Sequence, residues 1–103
     1  MGTKNNPGKF DCYENAEPDE PVFILLGRDP LAAPLVRLWA MMREECGPPR
    51  ERPENPDVVA AWEKEKVAEA QQCADTMEKY AREKRGDSKV DNAQRVYERL
   101  AGV

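Results

Sequence analysis

The feature that most constrains the fold is the unbroken helix-forming composition from Pro56 to Arg85, roughly 30 residues of a 103-residue chain. Asn55-Pro56-Asp57 gives the start signal: an N-cap, a proline at the first helical position and an acid in the first turn. Gly86 marks the end. At 1.5 Å per residue the helix is about 45 Å long. Because that length overhangs so small a domain, we expect a central helix and a homo-oligomer.

One face of this long helix is narrow and rich in alanine, which suits close packing against another helix. Its members are Val59, Trp62, Ala70, Cys73, Ala74, Met77, Tyr80 and Ala81. Lys66 interrupts the face, and the sequence leaves open whether the helix continues through Lys64–Lys66.

The longest apolar run lies in Val22–Met42, which we expect to be the heart of the core. Val22–Leu26 has the composition of a buried strand, and Gly27 ends it. A single strand cannot bury itself. It either pairs with Phe10–Tyr13, pairs with the same strand of another subunit, or lies as extended chain across the helices.

The segment after Asp29-Pro30 predicts a short turn at Pro30–Ala33 and a helix from about Pro34, because an interior proline breaks a helix. The apolar stripe of this helix is Leu35, Leu38, Trp39, Met42 and Cys46, widened by Val36 and Ala40. Arg37, Arg43, Glu44 and Glu45 are predicted on its wet side. Gly47-Pro48-Pro49 ends it.

A third, shorter helix is predicted after Ser88-Lys89-Val90-Asp91, which resembles a capping box with Asp in the last position. Gly102 ends this helix. The whole chain therefore predicts a mostly α protein: a short N-terminal strand or extended arm, then about three helices including one long central helix. We expect a flexible tail at 1–9 and a single small helical domain at 10–103, with a proline-rich connector at 47–54.

Composition excludes several classes of function. The net charge of −4 argues against bulk nucleic-acid binding, and no run approaches the length of a membrane span. Without histidine, the commonest general base and the triad mechanisms are missing, so we expect no enzyme and no cofactor. Three widely spaced cysteines predict no metal site but free thiols, in a soluble cytoplasmic protein with no signal peptide.

Two groups of residues are candidates for binding an anion. The Gly27-Arg28-Asp29-Pro30 turn offers free backbone N–H groups and an arginine; the alternative is a surface pair in which Asp29 merely caps the helix. Trp39, with Arg37 and Arg43 on the same helix and Tyr13 folded back, suits a stacked, phosphate-bearing ligand. The alternative is that Trp39 belongs to the core.

The stretch Asp19–Ala40, DEPVFILLGRDPLAAPLVRLWA, resembles a group of small phage- and prophage-encoded proteins. The shared pattern is Asp-Glu-Pro, an apolar strand, Arg-Asp-Pro, a proline-containing turn and Leu-Val-Arg-x-Trp-Ala. Ala68–Met77 is also similar, and Gly27 stands where relatives are expected to have alanine. The resemblance implies a viral accessory protein and brings no catalytic or ligand residues with it.

Small phage accessory proteins often block host defences, so the resemblance implies a counter-defence role in the host cytoplasm. Our first hypothesis is a non-catalytic binder that sequesters a small anionic, nucleotide-like signal through Arg28, Arg37, Arg43, Trp39 and Tyr13. The alternative is a protein–protein inhibitor of a host defence protein, acting through an acidic or helical surface.

Overall fold

The computed structural model describes residues 1–11, 13–49 and 53–102. It contains three α-helices, α1 (Ala32–Cys46), α2 (Pro56–Arg85) and α3 (Asp87–Ala101), preceded by an arm with a 3₁₀ turn at Tyr13–Asn15. No strand occurs among the described residues, so residues 22–26 belong to an arm and do not pair as a strand with residues 10–13; pairing with the same segment of another subunit stays a prediction. The predicted mostly α fold with a long central helix is confirmed.

Helix α2 has the predicted ends because both are determined by local chemistry. The Asn55 side chain accepts a hydrogen bond from the Asp57 N–H at 2.8 Å, and Pro56 occupies the first turn. The helix runs without interruption through Lys64–Lys66. At its far end Gly86 adopts φ +92° and ψ 157°, a conformation essentially restricted to glycine.

Helix α1 begins at Ala32, two residues before the predicted start. Pro34 is tolerated there because the first N–H groups of a helix have no partner within it. Asp29 does not cap α1 directly: its carboxylate accepts from the Leu31 N–H at 2.9 Å and so stabilises the preceding turn.

The predicted capping box at Ser88–Asp91 is wrong. Helix α3 starts at Asp87, directly after Gly86, and no side chain caps it. Gly86 turns the chain within one residue, so Ser88 already lies inside the first turn. The connector predicted at 47–54 falls partly outside the described residues, which stop at Pro49 and resume at Pro53.

The core is built from small side chains. Of the nine buried hydrophobic residues in the described ranges, seven are alanine and the others are Val67 and Val90. Ala40 of α1 meets Val67 and Ala70 of α2, with Met1 and Val36 packed against them. The alanine face predicted for α2 is confirmed at Ala70, Ala74 and Ala81. It brings α1 and α2 close together.

The prediction that the apolar stripe of α1 lies in the core is wrong for most of its members. Leu35, Trp39, Met42 and Cys46 are all exposed, whereas Ala32, Ala33, Pro34 and Ala40 are buried. Close contact between α1 and α2 requires small residues, so the larger side chains of α1 lie on its other side.

The chain before α1 crosses α2 rather than pairing as a strand. Gly27 lies against Met77 and Tyr80 of α2. Nearer the N-terminus, the Met1 ammonium pairs with Glu69 and Asp11, and Lys9 pairs with Glu65 at 3.1 Å. The chain before α1 thus contacts α2 at points between Glu65 and Tyr80, while the flexibility expected of residues 1–9 stays a prediction.

Candidate functional site

The arm at Val22–Leu26 presents apolar side chains to solvent. Phe23 is 87% exposed, and Val22, Ile24 and Leu26 are each more than half exposed. Only Leu25 of this segment is half-buried. Adjacent side chains of extended backbone point in opposite directions, yet here most lack cover within the chain. Such a segment is suited to insertion into an apolar groove of another molecule.

Acidic side chains precede Val22–Leu26 within the arm. Glu14, Glu17, Asp19 and Glu20 are all exposed, and within the described residues none of them forms an ion pair. Glu17 and Glu20 are joined by a turn in which the Glu20 carboxylate accepts from the Glu17 N–H at 3.0 Å. A negatively charged segment therefore lies directly before the exposed apolar segment Val22–Leu26 in the chain.

A shallow groove of about 400 Å³ lies between the arm and the end of α2. It is lined by Ile24, Leu26, Arg28, Asp29, Pro30 and Arg85. Two guanidinium groups beside apolar walls can hold an anion that carries a flat or apolar part. Arg85 was not among the predicted site residues; the signal available was a basic residue in the last turn of a helix ending at glycine.

Arg37 is held by two carboxylates of α2. Its Nη1 lies 2.7 Å from Glu78 Oε1 and its Nη2 lies 2.8 Å from Asp75 Oδ1. The hydrogen bond from Arg37 is the main reason that the pKa of Glu78 lies below its ordinary range, a second contribution coming from Arg82. The prediction that Arg37 lies on a wet side is wrong: it joins α1 to α2.

Arg43 is also committed to α2. Its Nε and Nη2 donate to the two oxygens of Glu63 at 2.7 and 3.1 Å, and both side chains are largely covered. The guanidinium also lies 5.6 Å from the centre of the Trp39 ring, with Lys66 on that ring at 6.0 Å. Arg43 and Trp39 are therefore close together as predicted. The Arg43 guanidinium, however, forms an ion pair between α1 and α2 with Glu63.

The five predicted ligand-binding residues are distributed over different surroundings. Arg28 lines the groove beside Arg85, and Arg37 and Arg43 pair with separate carboxylates of α2. Tyr13 is 71% exposed in the 3₁₀ turn. A common phosphate site would require Arg37 and Arg43 to exchange partners, so Arg28 is the member whose surroundings suit an anion best.

A charged cluster that the sequence did not indicate joins α2 to α3. Arg82 donates to Asp87 at 3.0 Å, to Asp91 at 2.9 Å and to Glu78 at 3.2 Å. These carboxylates raise the pKa of Arg82 above its ordinary value, with the Asp91 hydrogen bond contributing most. Arg82 thereby connects the α1–α2 ion pairs to the α2–α3 corner.

Other chemistry has little to build on in the described part of the chain. Cys46 and Cys73 are free thiols there, as predicted, while Cys12 lies outside the described residues. Among the same residues, no group of three or more Cys, Asp or Glu side chains is placed to hold a metal ion. None of the helices described has both the length and the apolar character needed to cross a membrane.

Comparison of the chain with protein-family models, curated proteins and solved structures finds no significant match. Function must therefore be argued from the surface and from the charged groups just described.

Proposed function

We propose that this chain is a non-catalytic binding protein that holds another protein through its arm. The observation that carries the proposal is the exposure of four of the five apolar side chains in Val22–Leu26, led by Phe23 at 87%. Leaving such a segment in water is unfavourable by roughly 25 cal/mol per Å² of apolar surface, and a partner groove recovers that free energy.

The negative charge before Val22–Leu26 indicates what kind of surface the partner has. Glu14, Glu17, Asp19 and Glu20 favour a groove whose rim is basic, because complementary potentials accelerate association and reject partners of like charge. The resemblance of Asp19–Ala40 to phage-encoded proteins supports a host defence protein, met in the host cytoplasm, as that partner.

The ion pairs within the fold favour protein binding over the sequestration of a nucleotide at α1. Arg37 and Arg43 use their planar guanidinium groups on Asp75, Glu78 and Glu63. An incoming phosphate would have to displace carboxylates that hold α1 to α2, at a cost to the stability of the fold.

The test is a capture experiment followed by reconstitution. The immobilised protein is incubated with a host lysate beside two variants, Phe23→Asp and Leu100→Asp; Leu100 is a matched control, 77% exposed on α3. Proteins retained by wild type and Leu100→Asp but lost with Phe23→Asp are purified and titrated by calorimetry. We expect Phe23→Asp to weaken binding at least tenfold. Equal affinity of all three proteins would refute the arm as the contact.

A second candidate function rests on the groove at Arg28 and Arg85. Two arginines beside Ile24, Leu26 and Pro30 suit the sequestration of a small nucleotide-like anion. A thermal-shift screen with mono-, cyclic and ADP-ribose-type nucleotides tests it, since a ligand at a hundred times its Kd adds about 2.7 kcal/mol of stability. The shift should vanish in Arg28→Ala and persist in Arg95→Ala, an exposed arginine of α3.

A further inference from the structure

Helix α1 and the residue before it carry an apolar face that the described part of the chain covers only in part. Its members are Leu31, Leu35, Leu38, Trp39, Met42 and Cys46, hereafter the outer face. At 100° per residue they fall within an arc of about 100°, on the side opposite Ala33 and Ala40. Leu35 is 43% exposed and Met42 is 56% exposed. No charged residue interrupts the outer face along the length of the helix.

The chain leaves more surface in water than a compact monomer of this size. The accessible surface is 8182 Å², whereas a compact monomer of 11.7 kDa exposes about 5,900 Å². The excess of about 2,300 Å², to which the exposed arm and the outer face both contribute, is nearly three times the roughly 800 Å² that one partner buries in a standard interface. The radius of gyration, 15.1 Å, likewise exceeds the about 13 Å expected for this chain length.

We infer that the outer face of α1 is the contact surface for a second copy of this chain, with the two α1 helices antiparallel about a two-fold axis. In that arrangement the face is complementary to itself: Leu35 meets Met42 of the second copy, Leu38 meets Trp39, and Leu31 meets Cys46. Each pair occurs twice, as a two-fold interface requires. The contact supplies the large apolar side chains that the alanine core lacks.

Charges at the two ends of the helix support the antiparallel orientation. Arg28 precedes α1, whereas Glu45 is exposed in its last turn, next to the outer face. Antiparallel packing brings the arginine of each copy to the acidic end of the other and also places opposite helix dipole ends side by side. A parallel arrangement would place like helix dipole ends side by side.

The first experiment is the mass in solution. Light scattering after size exclusion should give about twice 11.7 kDa for the wild type. Leu35→Asp should halve that mass, because a carboxylate cannot be buried unpaired at the contact. Leu100→Asp and Phe23→Asp, both at exposed apolar positions away from the outer face, should stay dimeric. A monomeric wild type, or a dimeric Leu35→Asp protein, overturns the inference.

A second experiment tests the same contact by crosslinking and does not introduce a charge at the apolar face. In a background with the natural cysteines replaced by serine, Leu38→Cys lies next to the two-fold axis and should form a disulfide-linked dimer on mild oxidation. Leu100→Cys is the matched control and should remain uncrosslinked. Equal crosslinking of the two variants, or none at Leu38→Cys, overturns the antiparallel contact. Binding of a foreign protein through the arm does not affect either result.

Discussion

Arg43 of α1 grips Glu63 of α2 with two nearly parallel hydrogen bonds, from Nε at 2.7 Å and from Nη2 at 3.1 Å. Side-chain exposure is 17% for the arginine and 16% for the glutamate. Such a two-pronged geometry is the strongest form of side-chain ion pair. It fixes the C-terminal half of α1 on α2, where the core consists of alanine and valine.

We expect Glu63→Gln to lower the free energy of unfolding by about 2 kcal/mol, because it removes the negative charge from the carboxylate that binds the largely covered Arg43 guanidinium through two hydrogen bonds. Urea denaturation at pH 7 and fixed protein concentration measures the change. Glu44→Gln, at an exposed position of α1, is the control and should alter stability by less than about 0.5 kcal/mol. Similar values for the two variants would contradict the importance of the pair.

The Arg37–Glu78 pair predicts a dependence of stability on pH. The folded-state pKa of Glu78 lies below its unfolded value of about 4.3. A carboxyl shifted in this direction stabilises the fold above the unfolded pKa, and the contribution is lost as the pH falls through the folded-state pKa. Glu78→Gln should therefore cost about 1 kcal/mol at pH 7, a magnitude suited to a partly exposed pair.

Denaturation of wild type and Glu78→Gln at pH 7, 5 and 3 tests this expectation. The difference between the two proteins should be nearly constant from pH 7 to 5 and should shrink at pH 3. Glu83→Gln, at an exposed position on the same helix, should differ little from wild type at any pH. A difference for Glu78→Gln that is the same at all three values would show that its charge is not involved.

The alanine contact between α1 and α2 predicts strong sensitivity to added volume. Ala70 is fully buried against Ala40, so Ala70→Leu would force the helices apart and destabilise the fold by about 2–3 kcal/mol. For a chain of this size, that corresponds to a fall in Tm of at least about 8 °C. Ala68→Leu, on the exposed side of α2, should leave Tm almost unchanged.

Burial raises the pKa of the half-buried Cys73 thiol. In a protein whose other cysteines are serine, Cys73 should therefore react with a disulfide reagent more slowly when folded than in 8 M urea. The pH at which its rate reaches half of its maximum should also lie above that of the unfolded chain. Identical midpoints in the two conditions would contradict the shift.

The ends of α2 could be predicted from sequence because each depends on neighbouring residues alone. Asn55-Pro56 begins the helix and Gly86 ends it, whatever packs nearby. The start of α3 could not be predicted in the same way. Ser88–Asp91 has the composition of a cap, but the turn at Gly86 brings Asp87 into the helix first.

The orientation of α1 shows what periodicity leaves undetermined. Leu35, Trp39 and Met42 do share one face, as their spacing predicts, but spacing does not say which surface covers that face. Arg37 and Arg43 were assigned to solvent by their charge. Their partners Glu78 and Glu63 lie 41 and 20 residues away in the chain, and only the folded arrangement of α1 on α2 brings them together.

The same reason limits prediction of the candidate site. Arg28 could be recognised from its place in a glycine turn, but its neighbour in the groove, Arg85, lies at the far end of α2. The exposure of Val22–Leu26 was hidden by its composition, which is that of a buried strand. The composition shows that the segment is apolar, but it does not determine whether other residues of the same chain bury it.

The corner between α2 and α3 is a single residue, and a β-carbon on Gly86 would touch nothing within 4 Å. Steric crowding therefore does not disfavour other residues there; the backbone conformation alone does, by about 1–3 kcal/mol. An alanine at this position favours joining the two helices into one straight rod of roughly 46 residues, about 70 Å long. The two forms differ in the backbone conformation of Gly86 alone. This glycine therefore determines whether α3 packs on α2 of its own chain or extends away from it, where it could pack on a second copy.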